Sequence, residues 1–83
     1  MRKSVEKELR IIQAIAGARK EAGLSKMEVS ARLKASPNFM AKVEAGKRVV
    51  KAWELIDIAD AMKIDPHDLL DRALPRSRRS RGS

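Results

Sequence analysis

Asn38, Ala41, Lys42 and Ala45 recur at spacings of three and four, and their side chains suit one kind of chemistry. If residues 36–45 coil into a helix, that spacing gathers them on one face. A carboxamide carries both a donor and an acceptor, so Asn38 could pair bidentately with the edge of another planar group. An ammonium at Lys42 could meet a ring acceptor or an anionic oxygen. The alanines are small enough to let a partner surface come close. This is recognition chemistry, not bond breaking. The chain has one His, no Cys, no glycine-rich phosphate loop and no inward cluster of carboxylates. No catalytic residue, metal-ligand set or cofactor is therefore read from it.

Something must hold that face outward. With Met40 at the centre of the buried side, Val43 and Glu44 fall beside it and Pro37 and Phe39 lie on the flanks. Ser36-Pro37 reads as a cap followed by proline at the first helical position, where the missing N–H costs nothing. Gly46 reads as the stop. Upstream, Ser25-Lys26-Met27-Glu28 fits a capping box, opening a helix that buries Val29 and Leu33 and ends near Lys34. A first helix runs from Ser4 to about Ala22, with Leu9, Ile12, Ile15, Ala16, Arg19 and Ala22 along one side. Gly23 ends it. A fourth spans about Ala52–Lys63, with Leu55, Ile58, Ala59 and Met62 inward, and Asp65-Pro66 opens a fifth over about Pro66–Leu74. No alternating β-branched run marks a strand, so the fold class is all-α. Helices two and three are separated by about two residues, a link short enough to fix their crossing angle.

The bulk numbers agree with a single helical unit. A chain of 83 residues, 43% hydrophobic, can bury one small core. Only Phe39 and Trp53 are aromatic, so that core must be mostly aliphatic, with the four methionines as fillers. The absence of cysteine excludes disulfides and suits the cytoplasm. No apolar run approaches the roughly 20 residues of a membrane span. Met1-Arg2-Lys3 leads into mixed charged sequence, not a signal peptide. The net charge of +8 is unevenly spread: +3 over residues 1–24, +5 over 25–51, −4 over 52–74 and +4 over 75–83. One face is thus expected to attract phosphates. The organisation expected is a domain at 1–74 followed by a basic disordered tail at 75–83.

Over residues 9–74 the sequence resembles the Cro/phage-repressor-like, XRE-type helix-turn-helix family. "ARKEAGLSKMEVSARL" is similar to its first helix, turn and second helix. "SPNFMAKVEAGKR" is similar to its recognition helix and following loop, and "LIDIADAMKIDPHDLL" to its closing pair of helices. The resemblance implies a five-helix, lambda-repressor-like domain with the helix-turn-helix at helices two and three. It implies a sequence-specific DNA-binding transcriptional regulator (repressor, Cro-like or antitoxin-like) that inserts helix 36–45 into the major groove of a double-stranded operator. Pro37, Asn38, Ala41 and Lys42 stand where the family reads bases, and Lys26, Ser36, Lys47 and Arg48 are expected on phosphates. Arg19 and Glu44 match a pair that ties helix one to helix three. From the residues alone, both fall on inward faces, where an unpaired charge is costly, so a partly buried structural ion pair is expected.

Some positions depart from the family pattern. Lys34 occupies a turn position often held by glycine, and a left-handed lysine there costs on the order of 1 kcal/mol. Pro37 replaces a frequent glutamine, so one base contact is lost or becomes apolar, as against a thymine methyl. Lys51 replaces a residue that often caps helix four, so a ragged start is expected there.

Trp53 and Ile56 point away from a core formed by Leu55, Ile58 and Met62, which makes them candidate dimer contacts. A single recognition helix covers only a few base pairs, and two-fold pairing would place half-sites about 34–36 Å apart, so a homodimer is expected. No small-molecule effector and no membrane partner is read from the sequence. The alternative is a protein-interaction module or adaptor on the same fold, using Trp53 and the acidic 52–74 surface.

Overall fold

Five helices follow one another along the chain: α1 (Arg2–Glu21), α2 (Lys26–Arg32), α3 (Phe39–Glu44), α4 (Ala52–Ala61) and α5 (Pro66–Ala73). The computed structural model describes residues 2–74, with side chains from residue 5 onward. The tail expected over 75–83 lies outside the described residues. Among those described there is no strand.

The helix starts follow from local chemistry. At α2, Ser25 Oγ accepts from the Glu28 N–H at 3.0 Å while Glu28 Oε1 accepts from the Ser25 N–H at 2.7 Å. That reciprocal pair satisfies two donors that the helix cannot. At α5, Asp65 Oδ1 accepts from the His67 N–H at 2.8 Å, and Pro66 takes the first helical position. At α4, where Lys51 offers no acceptor, Glu54 reaches back to accept from the Lys51 N–H at 3.0 Å.

The first four helices share one way of stopping. Each is followed by a residue in the left-handed region: Gly23 (φ 74°), Lys34 (φ 59°), Gly46 (φ 76°) and Lys63 (φ 61°). After α2, the Ala35 N–H donates to the Ser30 carbonyl at 3.0 Å and the Lys34 N–H to the Ala31 carbonyl at 2.9 Å. Equivalent pairs close α1, α3 and α4, so carbonyls orphaned at each helix end are satisfied. The Lys34 conformation is the one its turn position suggests. Lys63 is not signalled by the sequence, and α4 ends at Ala61, two residues earlier than its apolar pattern implies.

The core is aliphatic. Ile15, Val29, Met40, Val43, Ile58 and Leu69 are fully buried, and α1 packs on α3 and α5, α2 on α3 and α4, and α4 on α5. Burying each large apolar side chain contributes roughly 1.5–3 kcal/mol before entropy is charged against it. Met27 departs from the expected role of filler, being exposed on α2.

The first helix starts at Arg2, ahead of the cap expected at Ser4, and two further expectations need correction. The inward face of α1 is Ile11, Ala14, Ile15, Ala18 and Arg19, whereas Leu9 and Ala22 are exposed. Ile12 and Ala16, also expected inward, are half-buried as Ile11 is, so the buried stripe is broader than expected and extends to Ile11, Ala14 and Ala18. The second concerns α3, which starts at Phe39 and not at Ser36. Residues 36–39 form a turn closed by the Phe39 N–H to the Ser36 carbonyl at 3.0 Å, and Asn38 sits at φ −100°, ψ 13°. The Ser36 hydroxyl, expected to cap the helix, bonds a side chain instead.

Candidate nucleic-acid interface

The mount comes before the surface it carries. Ser30, wholly buried on α2, donates its hydroxyl to the Lys26 carbonyl at 2.9 Å and accepts from the Met40 N–H at 3.1 Å. One side chain thus satisfies a first-turn N–H of α3 and ties it to α2. Arg19 holds α3 from the other side. Its Nε donates to Glu44 Oε2 at 2.6 Å, its Nη2 to Glu44 Oε1 at 3.0 Å, and its Nη1 to the Leu24 carbonyl at 2.9 Å. Both side chains of this pair are 9% exposed. Hydrogen bonding to Glu44 raises the Arg19 pKa above its already high ordinary value, against the opposing pull of burial.

Held in this way, the turn and α3 present an open face. Ser36, Pro37, Asn38, Lys42 and Ala45 are exposed and Ala41 is half-buried. Pro37 and Asn38 therefore stand on the turn before the helix, and Ala41 and Lys42 on the helix proper. Lys26 at the start of α2 and Lys47 just after α3 are also exposed. Among the described residues, Lys26, Lys42 and Lys47 take part in no ion pair, so their ammonium groups remain available to an outside anion.

Two of the residues expected on phosphates are engaged within the chain. Arg48 makes a bidentate pair with Glu54 (Nη1 to Oε1 3.0 Å, Nη2 to Oε2 2.8 Å) and donates to the Val49 carbonyl at 2.9 Å. Its guanidinium carbon also lies 4.8 Å from the centroid of the Phe39 ring. The Arg48 side chain, then the Lys51 N–H, hold the Glu54 carboxyl below the usual glutamate range. Arg48 thereby braces the loop between α3 and α4. Ser36 gives its one hydroxyl proton to Asn38 Oδ1 at 3.0 Å, so in this arrangement the hydroxyl has no proton left for a phosphate oxygen.

Sequence reasoning missed Ser30. Its signal was a hydroxyl among the inward positions of α2, ten residues before Met40, whose N–H it satisfies. After α3 in the chain, Val49, Trp53 and Ile56 are exposed at 67%, 61% and 49%, and Lys51 Nζ lies 5.1 Å from the Trp53 ring centroid.

Two helices joined by residues 33–38, the second with an open polar face and flanked by lysines that form no ion pair among the described residues, are the architecture of a helix-turn-helix DNA-binding protein. The chain belongs to the family described as helix-turn-helix domain, which matches residues 14–73, and is by class a DNA-binding transcriptional regulator. Its fold is similar to the crystal structure of the clp gene regulator ClgR from C. glutamicum, with a TM-score of 0.75 and 21% identity over 81% of this chain and 87% of that one. No curated protein is detectably similar in sequence.

Proposed function

We propose that this chain is a sequence-specific, XRE-type regulator, of the repressor, Cro-like or antitoxin-like kind, that binds a double-stranded operator as a homodimer in the cytoplasm. The turn 36–38 and α3 enter the major groove, where Asn38 and Lys42 hydrogen-bond base edges and Pro37 and Ala41 make apolar contacts. Lys26 and Lys47 neutralise phosphates on either side and set the register. The observation that carries this reading is the exposed polar face of residues 36–45, immobilised by Ser30 and Arg19 and flanked by lysines that form no ion pair among the described residues. Occlusion of a promoter is the simplest way for so small a chain to regulate. Membership of the helix-turn-helix family and a fold similar to that of a gene regulator support that class of activity.

The exposed Val49, Trp53 and Ile56 favour a protein contact beside the DNA-facing surface, and a second copy of the chain is the partner the two-fold reading requires. Salt dependence tests the proposal. With about six phosphate contacts in the bound complex, affinity for duplex DNA should fall about 10³-fold between 50 and 200 mM salt. Lys47→Ala should weaken binding to every sequence and make that slope shallower by about one unit. An affinity indifferent to salt would contradict it and favour the adaptor reading through Trp53 and the acidic 52–74 segment.

A further inference from the structure

The bond from the Ser36 hydroxyl to Asn38 Oδ1, 3.0 Å long, does nothing for the helix it adjoins. Asn38 makes no side-chain bond to the backbone, and the turn is closed by main chain alone, Phe39 N–H to Ser36 carbonyl. Pro37, between the two residues, fixes its own φ and stiffens the segment. Both side chains are exposed. An exposed asparagine with no internal partner would sample several rotamers, and binding would have to freeze them. The hydroxyl removes part of that cost in advance. It also orients the amide, since here the hydroxyl donates its proton to Oδ1. Two N–H donors on Nδ2 and one lone pair on Oδ1 are then left over. That is the set adenine requires in the major groove, where N7 accepts and N6 donates.

We infer that Ser36 is a positioning residue for base readout: its hydrogen bond to Asn38 Oδ1 holds the carboxamide ready to pair bidentately with the N7/N6 edge of adenine. The inference rests on the reading that Asn38 meets a base in the major groove. It replaces the expected phosphate contact of Ser36, since the proton such a contact needs is already given to Asn38. Pro37 has no side-chain donor or acceptor with which to compete for that carboxamide.

The test uses the full chain and four variants: Ser36→Ala, Ser36→Thr, Asn38→Ala and the Ser36→Ala/Asn38→Ala double. Each is used to select bound duplexes from a random pool, and its melting temperature is measured. The wild type should enrich adenine at one position per half-site, and Asn38→Ala should abolish that preference. Ser36→Ala should melt like the wild type and keep the rest of the consensus. Its adenine preference should fall about fivefold, the size of one neutral hydrogen bond. Ser36→Thr should restore the preference, and Ser36→Ala should change nothing further when Asn38 is already alanine. A consensus left untouched by Ser36→Ala, or weakened equally at all positions, overturns the positioning role alone. A base other than adenine at the Asn38-dependent position also overturns it. A wild type that selects no consensus overturns the underlying reading as well.

Discussion

Arg19 spends three donors at once, two on Glu44 and one on the Leu24 carbonyl, while nearly sealed from water. The energetic weight lies less in the attraction than in what its loss would strand. Removing one partner leaves a desolvated charge, whereas removing both leaves a small apolar gap. Glu44→Ala should therefore lower the unfolding free energy by about 3–5 kcal/mol, and Arg19→Met/Glu44→Leu should cost clearly less. Urea denaturation of the two variants checks this; equal losses would mean that packing, not the stranded guanidinium, sets the cost. Opposite charges at two inward positions were readable in the sequence. The hydroxyl partners of Ser30 and Ser36 were not, because a serine can bond several neighbours and the choice depends on ångström-level placement of the backbone. The same holds for Arg48, whose basic character says nothing about whether Glu54 or an outside phosphate takes it.

Helices are bounded here by a few recurrent devices, and those devices explain what the sequence reveals at this scale. Ser25 with Glu28, and Asp65 with Pro66, mark starts that the structure uses. Gly23 and Gly46 mark stops, since their positive φ is open to them without a Cβ penalty. The start of α3 is legible only to within a turn, because Ser36-Pro37 fits a cap and equally fits the turn that precedes one. Lys63 is illegible, as nothing in its identity predicts φ 61°. It is held there by the Lys63 N–H to the Asp60 carbonyl and the Ile64 N–H to the Ala59 carbonyl, both 3.0 Å. Relieving that conformation should stabilise the fold. Lys63→Gly is expected to raise the unfolding free energy by about 0.5–1 kcal/mol, net of the extra chain entropy glycine brings to the unfolded state. A thermal melt lying a few degrees higher meets this expectation, and a lower one would mean the lysine side chain contributes contacts that outweigh the strain.

Across the whole molecule the charges separate by segment: residues 25–51, which build the helix-turn-helix and its loop, carry +5, and residues 52–74 carry −4. A duplex would meet the first and be repelled by the second, so the orientation of docking is set before any base is touched. The apolar group of Val49, Trp53 and Ile56 lies where the basic segment gives way to the acidic one. If a second copy covers it, Trp53→Ala should raise the dimer dissociation constant at least tenfold, as truncation of a central aromatic anchor does. Sedimentation velocity over a concentration series reads this directly, and an unchanged profile would remove Trp53 from the dimer contact. The segmental charge pattern was visible in the sequence. Which face of α1 met the core was not, since that is decided by packing between elements far apart in the chain.

The central claim is that the turn 36–38 and α3 occupy the major groove. Nuclear magnetic resonance of the chain bound to a selected duplex tests it most directly, through proton contacts between protein and base edges. The account predicts intermolecular contacts from the Ala41 methyl and the Asn38 carboxamide to major-groove protons, with Trp53 silent toward the bases. Contacts confined to Trp53 and its neighbours, with Ala41 and Asn38 unchanged by the duplex, would contradict it.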